Sequence, residues 1–304
     1  MCLQQDADGT VMRGGGQPVK DKATLERLRK VKLPTTYTEV CYAKDPQAMV
    51  QAVGRDTTGR LQYRYHAKHV QQAARTKFQR LLKFAKLLPA LRRSVKAQLR
   101  HDAQTKDEVA HQAIHLLDQC RFRIGNPMYL ERNQSHGLSN LQGKHVTAMG
   151  RQQATVEFSG KAGQLNTCVV RDKDTLQFLR QRLRAGGKEG RLFAYTSAKG
   201  TAAQLHPMDV NGTLKQYGDI SAKDFRTWQA NLFFVEARLA GHEIGDSIKH
   251  AARKLYHTPG VCRNNYLHPD VVERDAWRGK AAAETQLYRF LQQLQKAKAP
   301  TAST

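Results

Sequence analysis

His257-Thr-Pro-Gly-Val-Cys-Arg-Asn-Asn-Tyr266, followed by Leu-His-Pro, is the stretch on which the reading of this chain turns. A tyrosine phenol can attack a phosphodiester and hold the phosphate as a covalent ester. It needs cations around the phosphate and a proton donor for the leaving oxygen. Working outward from Tyr266, the chain offers such groups at His257, Arg226, Lys161 and Arg123. Each has an ordinary alternative. The chain holds ten tyrosines, and most tyrosines pack or face solvent. A lone Arg or Lys in a basic protein is usually a solvated charge, and His257 before Thr-Pro suits a helix end satisfied by backbone carbonyls. The argument rests on their joint occurrence in a fixed order.

The 304 residues are enough for one large core or two domains. Fifty Lys and Arg against 26 Asp and Glu give a formal charge of +24, which calls for a polyanionic partner. Charge alone does not choose among duplex DNA, RNA and an anionic membrane. The most apolar stretch, Leu81-Leu-Lys-Phe-Ala-Lys-Leu-Leu-Pro89, is broken by lysines and a proline, so no membrane span is expected. The start of the chain carries no apolar signal region, which leads us to expect an intracellular protein. Cys2, Cys41, Cys120, Cys168 and Cys262 are odd in number and form no Cys-x-x-Cys pair. They are expected to be reduced, mostly buried thiols without a zinc site.

The N-terminal quarter reads as a small β-rich domain. Residues 1–22, with Gly14-Gly-Gly16, suit a loose segment or a short strand pair, and Leu25 to Val31 suits a short helix ended by Pro34. Strands are expected at Tyr37–Tyr42, Gln47–Val53 and Arg60–His66. The last follows the turn Asp56-Thr-Thr-Gly59, and its alternation sets Leu61, Tyr63 and Tyr65 against Gln62 and Arg64. We place the boundary at 72/73. Residues 73–304 read as mostly helical, with helices at Lys77–Lys86 and Leu91–Arg100 around Pro89, and at Lys106–Cys120. A β-hairpin over Gln153–Arg171 interrupts them and carries Lys161 at or beside its tip. Helices then resume from a capping-box-like Ser221-Ala-Lys-Asp224, followed by Asp246–Tyr256 and residues 281–297. Arg226 falls in the first turns of its helix, where free N–H groups also favour an anion.

In order and spacing, five segments resemble the type IB DNA topoisomerases of the short poxviral and bacterial kind. They are Gly54-Arg-Asp-Thr-Thr-Gly-Arg-Leu-Gln-Tyr-Arg-Tyr-His66, Arg121-Phe-Arg-Ile-Gly125, Thr155-Val-Glu-Phe-Ser-Gly-Lys161, Ala222-Lys-Asp-Phe-Arg-Thr-Trp228 and the His257–Tyr266 segment. The resemblance implies an α+β fold: a small β-rich DNA-binding domain and a larger, mostly α-helical catalytic domain with a short β-sheet, together a clamp around duplex DNA. It implies that Tyr266 forms a 3′-phosphotyrosyl bond and that Arg123, Arg226 and His257 grip the non-bridging oxygens. Lys161 protonates the departing 5′ oxygen, with Lys223 as an assistant. Gln62, Tyr63 and Tyr65 match positions that contact DNA. The alternation leaves a second reading for the two tyrosines, as core of the small domain.

The same resemblance implies a monomer that relaxes supercoiled duplex DNA with no cofactor, metal or nucleotide. It implies residence with DNA in a bacterial cell, or in a viral particle and its host. No Gly-x-x-x-x-Gly-Lys-Ser/Thr loop and no evident carboxylate cluster for magnesium is present in the sequence. The nearest rival is a tyrosine recombinase, which usually shows His-x-x-Arg before its second arginine. Here Lys223 holds that place, favouring the topoisomerase. A non-catalytic DNA-binding relative would be expected to lack at least one of the five residues, and all five are present.

Overall fold

The computed structural model describes residues 2–297 apart from Ala7 and Gly15, so the middle of the Gly14-Gly-Gly16 run lies outside the described residues. The chain forms two compact units, Met1–Phe78 and Gln79–Thr304. It is α+β, with helices and small antiparallel sheets.

The smaller unit is built on β1 (Leu3–Gln5), β2 (Val11–Met12), helix α1 (Lys22–Lys30), β3 (Thr38–Tyr42), β4 (Val50–Arg55) and β5 (Leu61–Tyr65). The strands make one antiparallel sheet in the order β2-β1-β3-β4-β5. Asp21 caps α1, accepting the Thr24 N–H at 2.8 Å, and Arg27, Arg29 and Lys30 stand in the last turn, where cations suit the helix dipole. The core is Leu3, Val11, Val19, Leu28, Val40, Tyr42 and Ala52. None of it comes from β5. This edge strand leaves Leu61, Tyr63 and Tyr65 at 47, 46 and 46% exposure, so the reading of the tyrosines as core does not hold. The core is too small to reach the fifth strand, and period-two alternation there carries no information about burial.

The larger unit takes up α2 (Ala67–Ala97), which starts in the smaller one. Two helices around Pro89 were expected, yet α2 is continuous. Leu81, Phe84, Ala85, Leu88, Leu91 and Val95 are buried at helical spacing on both sides of the proline, and packing along that stripe outweighs the lost backbone hydrogen bond. Helix α3 (Lys106–Cys120) has a full capping box between Thr105 and Glu108 and is buried along most of its length. There follow α4 (Pro127–Asn133), β6 (Val146–Met149), β7 (Ala154–Ser159) and β8 (Leu165–Val170), the strands forming a sheet in the order β6-β7-β8. Next come α5 (Lys173–Gly186), the hairpin β9 (Ala194–Thr196) and β10 (Ala202–Gln204), and α6 (Pro207–Lys215). The chain closes with α7 (Ala222–Leu239), α8 (Ile244–Lys254), α9 (Pro259–Asn265), α10 (Pro269–Glu273) and α11 (Ala283–Ala297). In α7, Phe225, Trp228 and Phe234 are fully buried; Phe225 meets Phe84 of α2 edge-on at 5.0 Å, and the Trp228 indole donates to Glu284 of α11 at 3.3 Å. No helix among the described residues is long and apolar enough to cross a membrane.

The cysteines depart from expectation. Cys2 pairs with Cys41 and Cys120 with Cys168 as disulfides, at Cα separations of 5.8 and 5.5 Å, leaving Cys262 free and buried. Wide spacing in sequence hid the proximity. β1 lies against β3 with Gln4 opposite Cys41, and the end of α3 packs near β8. A thiol titration of the unfolded, unreduced chain is expected to count one thiol; five would mean that the pairs stay reduced.

Candidate active site

Arg226 is set by the start of α7. The Asp224 carboxylate accepts the Ser221 N–H at 2.7 Å and its hydroxyl at 2.9 Å, and pairs with Arg80 of α2 at 3.0 Å. Aspartate thus does the work expected of a capping glutamate and anchors a second helix as well. Two residues on, Arg226 is 3% exposed. Its guanidinium donates to the Leu255 carbonyl at 2.6 Å and to the Arg121 carbonyl, while Nε has no partner. Burial pushes its pKa down to about 10, and repulsion from Arg123 acts in the same direction; the Tyr266 hydroxyl favours the charged form.

Arg123 is near enough to disfavour the charged forms of both Arg226 and His257. Arg121 ends α3 in the left-handed conformation at φ 59°, and Phe122 is wholly buried. The half-buried Arg121 and Arg123 lie on either side of it. The Phe122 ring meets Phe158 of β7 edge-on at 4.7 Å.

His257 and Tyr266 sit at the two ends of α9. Thr258 caps that helix, Pro259 begins it, and buried Cys262 anchors it. Across it the two rings stack at 4.8 Å with 11° between their planes, and the Arg226 guanidinium lies 5.7 Å from the Tyr266 ring. Both ring nitrogens of His257 are buried and neither makes a well-formed hydrogen bond; its backbone neighbour Thr258 favours the charged form. Burial first, then Arg226 and Arg123, lowers its pKa to about 4. At neutral pH the imidazole is uncharged, with one N–H to give. Two side chains that keep a buried polar atom without a well-formed hydrogen bond, Arg226 at Nε and His257, therefore lie against the Tyr266 ring.

The expected lysines lie outside this contact set. Lys161 begins the tight turn Lys161–Gly163 between β7 and β8, exposed at the hairpin tip, where Ala162 and Gly163 adopt φ of 61° and 70°. Lys223 is exposed in the first turn of α7. In the smaller unit, Gln62 is half-buried and donates to Asp56 at 2.8 Å, while Tyr63 and Tyr65 are exposed, their rings 6.3 Å apart. Asp56, held to about 2 chiefly by the Thr58 hydroxyl and the Arg60 N–H, organises that turn.

Sequence reasoning missed Asn231. Fully buried on α7, its amide donates to the Tyr266 carbonyl at 2.9 Å and the Thr227 carbonyl at 2.8 Å, and accepts the His268 N–H at 2.8 Å. It therefore fixes the backbone from the Tyr266 carbonyl to the His268 N–H. The one available signal was a polar residue inside an apolar helix stripe, five positions after Arg226. Asn231→Ala is expected to cost about 2–6 kcal/mol of stability, from two buried backbone groups at about 1–3 kcal/mol each. Denaturant unfolding curves measure it. Also missed was a cavity of about 550 Å³ beside His257, lined by His242, Asp246, Lys249, His250 and Arg253. These recur at helical spacing on or beside α8, and the sequence reading took that segment only as a helix.

The depressed histidines make a pH prediction. Burial also lowers His145 to about 4. Between about pH 6.5 and 4 the unfolded chain binds protons at these residues that the folded chain does not, so stability rises with pH there. It is complete above about 6.5 and declines as pH falls towards 4. Denaturant unfolding at pH 7 and pH 5 should show the loss, and His257→Asn should remove part of it. An unchanged slope in that variant would mean that His257 is not held neutral.

The catalytic core of eukaryotic DNA topoisomerase I matches residues 66–259, and the N-terminal domain of bacterial DNA topoisomerase IB matches residues 12–56. DNA topoisomerase 1B of Acanthamoeba polyphaga mimivirus is 30% identical over 262 residues, covering 80% of this chain and 77% of its own length. DNA topoisomerase 1 of rabbit fibroma virus (strain Kasza) is 26% identical over 269 residues, covering 82% and 81%. DNA topoisomerase 1B of vaccinia virus (strain Copenhagen) is 24% identical over 271 residues, covering 83% and 82%. The chain belongs to the type IB DNA topoisomerases, a family of isomerases acting on DNA. This decides against the recombinase. The catalytic-core match ends at Pro259, so it contains Arg123, Lys161, Arg226 and His257 but stops short of Tyr266. The case for Tyr266 rests on its contacts with His257 and Arg226.

Proposed function

We propose that this topoisomerase relaxes supercoiled duplex DNA by cutting one strand through Tyr266, letting it rotate, and resealing it. The observation that carries the reading is that buried Arg226 and half-buried His257 both lie against the Tyr266 ring, which supports a pocket of donors suited to one phosphate. The phenol gives its proton to solvent and its oxygen bonds to phosphorus. The bond from phosphorus to the 5′ oxygen breaks, leaving a 3′-phosphotyrosyl ester. Arg123, Arg226 and the neutral His257 N–H hold the non-bridging oxygens. Lys161, from its exposed hairpin tip, protonates the 5′ oxygen, with Lys223 beside Arg226 as a secondary donor. A positioned acid contributes about 10²–10⁴-fold. The ester keeps the energy of the broken bond, so resealing needs no ATP. The side chains supply the charge that a metal would otherwise bring.

Residues 1–72 act as the second lobe of a clamp, with Gln62, Tyr63 and Tyr65 on the DNA, and residues 73–304 as the catalytic domain of a monomer. What supports this for the tyrosines is their exposure on an edge strand that the small core does not use. Asp56 holds Gln62 in place for an adenine edge.

The test is to incubate negatively supercoiled plasmid with the protein in EDTA without ATP, quench with detergent, and map any adduct by peptide mass. Relaxation with an adduct on Tyr266 is the expected result. An adduct without relaxation would point to strand transfer instead, and neither would leave a DNA-binding protein without this chemistry.

A further inference from the structure

Arg123 and Lys161 come from different elements, the segment after α3 and the β7–β8 hairpin, yet the proposed reaction needs both at one phosphate. The segment His136–Ser139 touches each. The Leu138 N–H donates to the Arg123 carbonyl at 2.8 Å and the Ser139 N–H to the Ile124 carbonyl at 2.8 Å, a short ladder along the arginine segment. The His136 N–H donates to the Ser159 carbonyl at 2.9 Å, at the root of the turn that carries Lys161. We infer that His136–Ser139 is a positioning strap that holds Arg123 and Lys161 in register, and that Gly137 is the residue it depends on; this rests on the roles proposed for those two side chains.

The dependence on Gly137 is steric. Its backbone is extended at φ −153°, so conformational freedom is not the reason for glycine. Space is. A Cβ there would stand 2.5 Å from the Gly125 nitrogen and 2.8 Å from the Arg123 carbonyl oxygen, all backbone atoms that cannot swing aside. Gly125 opposite adopts φ 95°, and a Cβ on it would lie 3.2 Å from the Gly137 Cα. Two glycines thus let the strap and the arginine segment touch backbone to backbone. The strap is fixed from behind as well: Leu138 and Ser139 are buried, the Gly137 N–H donates to Asn140 at 2.7 Å, and Gln204 donates to the Ser139 carbonyl. A second tie runs beside it, the edge-on contact of Phe122 with Phe158 at 4.7 Å.

A substitution at Gly137 should therefore act through Arg123 and the lysine hairpin rather than on its own, which a double-mutant cycle detects. Single-turnover cleavage of a short duplex would be measured for wild type, Gly137→Ala, Arg123→Ala and the double variant, with duplex affinity and thermal unfolding alongside. The expected result is a loss of roughly 100-fold for Gly137→Ala, on the scale of a 1 Å misplacement, with affinity changed by no more than about threefold. In the Arg123→Ala background the Gly137→Ala loss should shrink to about 10-fold or less, the remainder acting through the lysine hairpin. A Gly137→Ala enzyme near wild-type rate, or losses that multiply in the double variant, would overturn the strap. Should Gly137→Ala fail to fold, Phe158→Leu replaces it in the same cycle; its expected loss of about 3–10-fold should be smaller in the Arg123→Ala background, and an undiminished loss there overturns the proposal. Near-wild-type cleavage by Arg123→Ala itself would instead sink the assignment of Arg123, and the strap with it.

Discussion

Tyr266→Phe is expected to bind duplex DNA as the wild type does and to form no covalent adduct, with relaxation lost by on the order of 10⁶-fold, the scale seen when a covalent nucleophile is deleted. The substitution removes one oxygen and leaves the ring. The stack on His257 at 4.8 Å and the approach of Arg226 at 5.7 Å are ring contacts, and both survive in phenylalanine. Asn231 holds the backbone carbonyl of residue 266, which the substitution does not touch. Fold and phosphate pocket should therefore persist, and the variant separates binding from chemistry. Detergent-quenched gels read the adduct and mobility shifts read the affinity. Residual adduct in Tyr266→Phe would move the nucleophile to another residue.

Much of this site was legible in the sequence because its parts are fixed locally. Pro259 after Thr258 starts a short helix that sets His257 and Tyr266 at its ends, and Asp224 after Ser221 starts the helix that carries Arg226. The turn Ser159–Gly163 is likewise local, and it shows Lys161 at a hairpin tip. What escaped reading depends on contacts far apart in the chain. Asn231 matters because of where the Tyr266 carbonyl lies, 35 residues on, and polarity inside a helix stripe does not announce its partner. Cys120 and Cys168 meet because a helix end packs near a strand, which spacing cannot show. The alternation in β5 pointed to a buried face, but burial is a property of the whole sheet, and its core ends before the fifth strand. In α2 the opposite happened: a local rule about Pro89 suggested a break that the packing of residues 81–95 overrules.

Arg226→Lys should cut the single-turnover cleavage rate by about 10²–10³-fold, equivalent to about 2.7–4 kcal/mol of transition-state stabilisation, the scale for one preorganised donor to developing charge. The charge is retained, so the loss tests geometry. Arg226 spends two N–H groups on the carbonyls of Arg121 and Leu255 and keeps Nε free, and only a planar fork can hold two fixed acceptors while presenting a third donor. A lysine ammonium is a single point on a flexible stem. It can satisfy one carbonyl or meet the phosphate, and either choice leaves a buried acceptor or the transition state without its donor. Arg226→Ala should lose more, because the positive charge goes too. The free enzyme should lose less stability than the contacts suggest. Burial and the neighbouring Arg123 already push the Arg226 pKa down to about 10, so its charge is strained until an anion arrives. Removing that charge relieves repulsion as it orphans the two carbonyls, and the opposing effects are each a few kcal/mol. Thermal unfolding should follow, with and without a short duplex. The duplex should stabilise wild type by more than it stabilises Arg226→Ala. Equal stabilisation of both would show that Arg226 is a structural cation and that the phosphate sits elsewhere.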